Sequence, residues 1–199
     1  RQADRLGGLL EAIASKAPAP ASGSAAAAVV AAAAALLEKC ARLSLKAWSG
    51  AGQARDSAHS LRLHAEELVE HDLHAYLAYV EAKRSGVGVD SARARTVEVP
   101  LEIVRAAAKV SELAEALASA GNPNLRADAV AGAILARGAA QVAAMLVRVN
   151  LEARPDDARL REARRLATDA SARARRLDAP AHRDGRGRAP ARSEGNRRR

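Results

Sequence analysis

Apolar and polar residues recur with a helical period along most of this chain, between short segments rich in Gly, Pro, Ser and Asn. Apolar positions repeat at spacings of three and four, which is the pattern of amphipathic helices, and no alternating run is long enough to indicate a strand. The breaks, such as those at residues 49–52 and 121–124, are typical of turns. Helices are predicted over residues 5–17, 24–48, 56–84, 100–120, 125–151 and 156–177, with Pro100 in the first turn of the fourth.

The composition agrees with a helical domain. Of the 199 residues 49% are hydrophobic, but only 2% are aromatic, so the core must be built from Ala, Leu and Val, which suits closely packed helices. We therefore predict an all-α, up-and-down bundle of five to six helices over residues 1–178. The second and fifth helices are rich in Ala and Gly and have little side-chain area to bury, so we expect close partner helices and a homodimer.

The net charge of +9 lies largely in the last 21 residues. Residues 179–199 hold seven Arg against two acidic residues and almost no large apolar side chain, a composition that cannot fold alone. We predict a disordered, Arg-rich tail there, most simply a solvated extension. A nucleic-acid partner is not expected, except through this tail.

Neither a membrane span nor a disulfide is expected. The apolar run of residues 25–37 is shorter than the roughly 18 residues that a spanning helix needs, which favours a buried helix. The single Cys40 excludes an intramolecular disulfide and a Cys-rich zinc site and fits a reducing, cytoplasmic compartment. The chain begins with Arg1, which leaves open a preceding targeting segment.

The turn from Pro20 to Ser24 precedes the Ala-rich second helix. Pro, Gly and Ser before a helix are typical of a turn and an N-cap. The same arrangement can seat a ligand, because Gly23 permits close backbone approach and a helix N-terminus presents unpaired N–H groups. The sequence alone favours the cap and leaves the ligand seat open.

Asp72 lies where an apolar residue belongs. The apolar stripe of the third helix runs Leu61, Ala65, Leu68, Asp72, Ala75 and Tyr79, whereas the neighbouring Glu67, Glu70 and His74 project toward solvent. An Asp facing a core must be paired, protonated or beside a wet cavity, and each condition shifts its pKa. An ion pair with Arg or Lys of a neighbouring helix is one interpretation, and acid–base chemistry is the other.

Other polar residues give weaker signals. Asp128 lies in the first turn of the fifth helix, where a carboxylate complements the helix dipole, and Asn122 and Asn124 can cap. The acidic and histidine side chains around position 70 are spread over a solvated face, so no metal site is predicted.

Five landmarks occur together in one order, over about Leu9 to Leu151, and are similar to those of the cyclodeaminase/cyclohydrolase family of folate enzymes. They are Pro20-Ala21-Ser22-Gly23-Ser24, Glu70-His71-Asp72-Leu73-His74-Ala75-Tyr76, Val99-Pro100-Leu101, Gly121-Asn122 with Asp128, and Asn150-Leu151.

The resemblance implies a folate enzyme with Asp72 as the catalytic general acid/base. It further implies an all-helical homodimer that binds a tetrahydrofolate derivative as substrate, with no metal and no other cofactor. Gly23 and Ser24 would form the substrate-binding turn, and Asn122 and Asp128 would orient the substrate. The expected reaction converts 5-formiminotetrahydrofolate to 5,10-methenyltetrahydrofolate and ammonia. The alternatives are methenyltetrahydrofolate cyclohydrolase and a catalytically impaired helical scaffold.

The chain departs from the family pattern at three positions. Ala21 and Ser22 stand where the family has glycines, and Glu70 replaces the first Asp of its acidic pair. Either this branch binds its folate differently, or it has kept the fold and lost some activity.

Overall fold

The computed structural model describes residues 2–151 and 156–179. Within them it contains six α-helices, one 3₁₀ turn and no strand, which confirms the predicted all-α class. The predicted tail of residues 179–199 lies outside the described residues apart from Ala179. The elements are α1 (Gln2–Ala14), α2 (Ser22–Arg42), α3 (Ala51–Ser85), α4 (Val89–Ala120), the 3₁₀ turn (Pro123–Leu125), α5 (Arg126–Asn150) and α6 (Ala158–Asp178).

Helices α2 to α6 run alternately up and down, because short connections join each helix to the next. Each packs against its successor in the chain, and α2 also packs against α4 and α5. We call the end that holds the N-terminus of α2 the upper end of the bundle. The C-terminal parts of α3 and α5 and the N-terminal part of α4 also lie toward this end.

The small-residue helices α2 and α5 pack closely against each other within one chain. Ala27, Ala33 and Ala34 of α2 are fully buried, and a Cβ added to Gly132 of α5 would lie only 2.8 Å from Cδ2 of Leu37. These helices therefore find close partners without a second copy of the chain, and the homodimer stays a prediction.

Helix α2 and the segment Pro123–Asn150 are long and apolar enough, by length and composition, to cross a membrane. About half of each is buried inside the bundle. That packing is expected of core helices, and for the run of residues 25–37 it confirms the predicted buried helix.

Several helix boundaries differ from the prediction, and two of the differences affect the interpretation of the chain. Helix α2 ends at Arg42, six residues early, and the hydroxyl of Ser44 in the following turn donates to the Cys40 carbonyl at 2.7 Å. Pro100 lies inside α4, which begins at Val89, so its placement in a first turn was wrong. A proline interrupts a helix by removing one backbone donor, and here the carbonyl left without it finds another donor, as described below.

Candidate functional site

The site begins at the N-terminus of α2. The residue before this helix is Ala21, which has no side-chain oxygen to accept from the first free N–H groups. Asp72 of α3 supplies that oxygen instead. Its Oδ2 accepts a hydrogen bond from Oγ of Ser24 at 2.9 Å, and its carboxylate also accepts from the backbone of Ser24. The carboxylate of one helix thus caps its neighbour.

Gly23 is the residue that lets the two helices approach so closely. A Cβ at this position would lie 2.0 Å from Oδ1 of Asp72 and 2.4 Å from its Cγ. Real Cβ atoms do not approach other heavy atoms at such distances, so any side chain here would displace the carboxylate. The close backbone approach occurs at Gly23, which this chain retains, and not at Ala21 or Ser22.

Asp72 is half-buried and stands in the apolar stripe as predicted, with Leu68 and Ala75 buried on either side of it. Burial raises the pKa of its carboxyl above the ordinary value of 3.8, and the hydrogen bonds from Ser24 lower it by less. In the described part of the chain no Arg or Lys forms an ion pair with Asp72. The interpretation of Asp72 as half of an interhelical ion pair therefore finds no support among these residues.

A cavity of about 300 Å³ opens beside Asp72 at the upper end of the bundle. Four helices and the segment before α2 contribute to its wall. The lining residues with polar side chains are Ser22, Asp72, Tyr76, Thr96 and Asn150, and the others are Pro18, Ala19, Ala21, Gly23, Ala75, Leu146 and Val149. The cavity thus combines one half-buried acid with apolar walls and a few hydrogen-bonding groups, which is the usual makeup of a small-molecule site.

Of the five residues predicted for the site, the structure brings together Gly23, Ser24 and Asp72. Asn122 and Asp128 lie at the lower end of the bundle. Asp128 forms a 3.1 Å ion pair with Lys39, which follows Gly23 by 16 residues of α2, or roughly 24 Å. Within one chain, therefore, Asn122 and Asp128 do not lie beside Asp72. Their assignment as substrate-binding residues stays a prediction.

Asn122 has structural partners at that lower end. Its Oδ1 accepts from the backbone N–H of Asn124 at 3.0 Å, and its own backbone N–H donates to Oγ of Ser44 at 2.9 Å. Its Nδ2 also donates to the carbonyl of Leu43 at 3.3 Å. Asn122 therefore caps the 3₁₀ turn, as the alternative interpretation of this residue held, and fastens it to the segment after α2.

Among the described residues no group of three His, Cys, Asp or Glu side chains could hold a metal ion. His71 and His74 are exposed on α3, on the face that the sequence predicted to be solvated, and His64 is exposed as well. A wider groove of about 1040 Å³ lies between α3 and α4 and includes His64, Lys109 and Glu112.

Sequence reasoning missed Thr96, Tyr76 and Asn150 as parts of the cavity wall. Asn150 carried a signal, because it ends the apolar stripe of α5 and is a polar residue next to the core. Thr96 also carried a signal in the sequence, but that signal was misread. It stands four residues before Pro100, and once Pro100 is inside a helix that spacing marks a carbonyl without its helical donor.

The fold and the site together define a class of protein. It is an all-α bundle in which a half-buried carboxylate caps a core helix beside a small cavity. Among the described residues this carboxylate has no cationic partner. A sequence profile described as Formiminotransferase-cyclodeaminase matches residues 5–169. The match covers well over half of the chain, and this protein therefore belongs to the formiminotransferase-cyclodeaminase family, as the resemblance predicted.

The crystal structure of formiminotetrahydrofolate cyclodeaminase from Thermotoga maritima is similar to this chain, with a TM-score of 0.75 and 24% sequence identity. The similarity covers 83% of this chain and 90% of that one. At this identity it shows a common fold. No curated protein sequence gives a significant match.

Proposed function

We propose that this protein converts 5-formiminotetrahydrofolate to 5,10-methenyltetrahydrofolate and ammonia, with Asp72 as the general acid/base. One observation carries the proposal: Asp72 is a half-buried carboxyl with a raised pKa and no cationic partner among the described residues, and it lies on the wall of the cavity. Membership of the family supplies the class of substrate.

The reaction needs one group that can take a proton and return it. N10 of the substrate attacks the carbon of the protonated formimino group, which forms the C–N10 bond and a tetrahedral carbon. Asp72 takes the proton from N10 and delivers it to the formimino nitrogen. The bond from carbon to that nitrogen then breaks, ammonia leaves, and the positive charge remains on the methenyl bridge. A carboxyl whose pKa is raised by burial is better suited to both transfers than an ordinary Asp.

The cavity suits the reacting end of such a molecule. Its volume of about 300 Å³ is at the lower end for small-molecule sites, so we expect it to hold the pterin end while the remainder extends outside. Leu146 and Val149 provide an apolar wall, and the half-exposed ring of Tyr76 provides a flat surface for stacking. Holding N10 against the formimino carbon would supply much of the rate increase.

The cyclohydrolase reaction is the second candidate, because the same carboxyl could activate water toward the methenyl carbon. Ala21 and Ser22 favour keeping it as an alternative, since they line the cavity where the family pattern has glycines and alter the space beside the reacting carbon. Comparison of rates on the two substrates separates the candidates.

We also propose a cytoplasmic homodimer, in line with the prediction from sequence. Cys40 is buried and unpaired, which agrees with a reducing compartment. Tyr76, Leu77 and Val80 leave apolar side chains exposed on one stretch of α3, which suits an interface with a second copy.

The test is to incubate the purified protein with 5-formiminotetrahydrofolate and, separately, with 5,10-methenyltetrahydrofolate, and to follow methenyl absorbance. We expect the absorbance to rise with the first substrate and Asp72→Asn to abolish the rise. Turnover of the methenyl compound alone would favour the cyclohydrolase. A folded protein that turns over neither substrate and binds no folate would contradict the proposed enzymatic function and favour the helical scaffold.

A further inference from the structure

Pro100 leaves one carbonyl of α4 without its helical donor. In an α-helix the N–H of each residue donates to the carbonyl four residues earlier, and proline has no N–H. The carbonyl that Pro100 cannot reach belongs to Thr96, a buried residue on the wall of the Asp72 cavity. A buried carbonyl without a donor is costly, so a partner is required.

Asn150 supplies that partner from the last residue of α5. Its Nδ2 donates to the Thr96 carbonyl at 2.5 Å, across the interface of α4 and α5. The Thr96 hydroxyl donates within its own helix, to the carbonyl of Arg93 at 2.8 Å. The missing helical hydrogen bond is thus replaced by one that fixes the carboxamide of Asn150 in the cavity wall.

This hydrogen bond decides which end of the carboxamide a ligand would meet. The amide nitrogen must be the atom against the Thr96 carbonyl, since two oxygens would repel each other. Oδ1 is then the atom left to accept a hydrogen bond from a ligand. The carboxylate of Asp72 is also an acceptor and lines the same cavity. The polar part of the wall therefore favours a ligand that presents N–H groups.

We propose that Asn150 is a further substrate-binding residue, whose Oδ1 accepts an N–H of the formimino nitrogen, and that Pro100 positions it by reserving the Thr96 carbonyl. The inference rests on the proposed function. The formimino nitrogen carries N–H groups and leaves as ammonia, whereas the methenyl compound has no N–H at the reacting carbon. Asn150 is therefore expected to matter more for the formimino substrate.

The alternative is that Asn150 serves stability alone, by satisfying the carbonyl. A double-variant cycle separates the two roles. Asn150→Ala removes both the donor and Oδ1, while Pro100→Ala restores a backbone N–H that can donate to Thr96. The four proteins to compare are the wild type, Asn150→Ala, Pro100→Ala and the combined variant. The measurements are the melting temperature and the KM and kcat for both substrates.

We expect Asn150→Ala to lower the melting temperature of the wild type and to change that of the Pro100→Ala variant much less. The KM for 5-formiminotetrahydrofolate should be about tenfold above that of the wild type in Asn150→Ala and in the combined variant, as for the loss of one hydrogen bond to a charged group, with a smaller change for the methenyl compound. Pro100→Ala alone should raise this KM by less, because Asn150 keeps its Oδ1 but loses the partner that holds it. Recovery of KM together with the melting temperature, or equal effects on both substrates, would overturn the inference. Turnover of neither substrate by the wild type would overturn the proposed function and this inference with it.

Discussion

Two carboxylates of the bundle, Asp72 and Glu38, are both partly or largely buried, but their pKa values are shifted in opposite directions. Glu38 of α2 is only 7% exposed, more buried than Asp72, yet the pKa of its carboxyl is lowered from 4.5 to about 2. The pKa of Asp72 is raised above 3.8. Burial raises the pKa of both carboxyls, but it is the largest influence only on Asp72, whereas on Glu38 the hydrogen bond from Arg42 outweighs it.

Glu38 lies against two arginines and a histidine. Its Oε1 accepts from Arg42 at 2.5 Å and lies 3.3 Å from Nδ1 of His59, and its Oε2 accepts from Nε of Arg62 at 3.0 Å. The hydrogen bond from Arg42 lowers the pKa of Glu38 the most. Burial raises this pKa, and the hydrogen bonds from Arg62 and His59 lower it further. Asp72 receives its hydrogen bonds from Ser24, which carries no charge.

The comparison teaches that the proton affinity of a buried acid depends on whether its donors are charged. Glu38 stays ionised at any physiological pH and contributes stability, which is present above pH 4.5 and is lost as the pH falls toward 2. Asp72 has the opposite sign, because its ionisation costs stability once the pH rises above 3.8. One carboxylate fastens α2 to α3, and the other remains able to exchange a proton.

The largest expected effect is from Asp72→Asn, which removes the proton carrier and keeps an oxygen that can accept from Ser24. We expect turnover of the formimino substrate to fall by about 10²- to 10⁴-fold, as for loss of a general acid/base. Asp72→Ala should lose the same activity and, because the cap is also lost, about 1 kcal/mol of stability. Initial rates and urea unfolding check both parts. Activity in Asp72→Asn within about threefold of wild type would contradict the assignment.

The next effect is from Gly23→Ala, since its Cβ would collide with the carboxylate of Asp72. We expect a loss of about 1 to 3 kcal/mol from the free energy of unfolding, as for overpacking, together with most of the activity. Gly52→Ala is the matched control. Gly52 is likewise the second residue of its helix, but nothing lies within 4 Å of an added Cβ. The control should be as stable as the wild type or slightly more so. Equal behaviour of the two variants would refute the close approach.

Glu38→Gln should affect stability without touching catalysis. The variant keeps the size of the side chain and removes the charge that Arg42 and Arg62 face, so we expect it to lose about 1 to 3 kcal/mol at neutral pH. Because the pKa of Glu38 is lowered to about 2, the difference from wild type should shrink as the pH falls below 4.5. Urea unfolding at several pH values measures it, and activity per folded molecule should match wild type. A pH-independent difference would show that the charge is not responsible.

The smallest effect is from Ser24→Ala, which removes an uncharged donor to Asp72. Because that hydrogen bond lowers the pKa of Asp72, its loss should move the acid limb of the pH–rate profile to higher pH and reduce the rate at neutral pH by less than about tenfold. Ser111→Ala is the matched control, since Ser111 is equally buried but donates to the Ala108 carbonyl in α4. A limb that stays in place in Ser24→Ala would separate Ser24 from the acid.

The sequence carried the fold class and the main residue of the site for the same reason. Helical periodicity reports which face a side chain occupies, and Asp72 violated it within a single helix. The sequence could not show that Asn122 and Asp128 lie at the lower end, because motifs that follow one another along the chain can lie at either end of a bundle. The family resemblance assigned both residues to the same site as Asp72. The length of α2 between Gly23 and Lys39 shows that they lie at the opposite end of the bundle.

The contribution of Thr96 was missed because Pro100 was taken as the start of a helix. A proline is usually taken as a helix boundary, and that rule placed the start of α4 at residue 100. The helix continues through Pro100 because a side chain from α5 satisfies the freed carbonyl. That compensation is a tertiary contact between residues 54 positions apart, and no local pattern encodes it.

The most direct test of the contrast between the two acids is a titration of their side-chain carboxyl carbons by NMR, with Asp72→Asn and Glu38→Gln used to assign the signals. We expect the Asp72 signal to titrate with a midpoint above 3.8 and the Glu38 signal near 2. A midpoint for Asp72 at or below 3.8 would contradict the claim that its burial is not offset by a charged partner, and with it the choice of Asp72 as the acid/base.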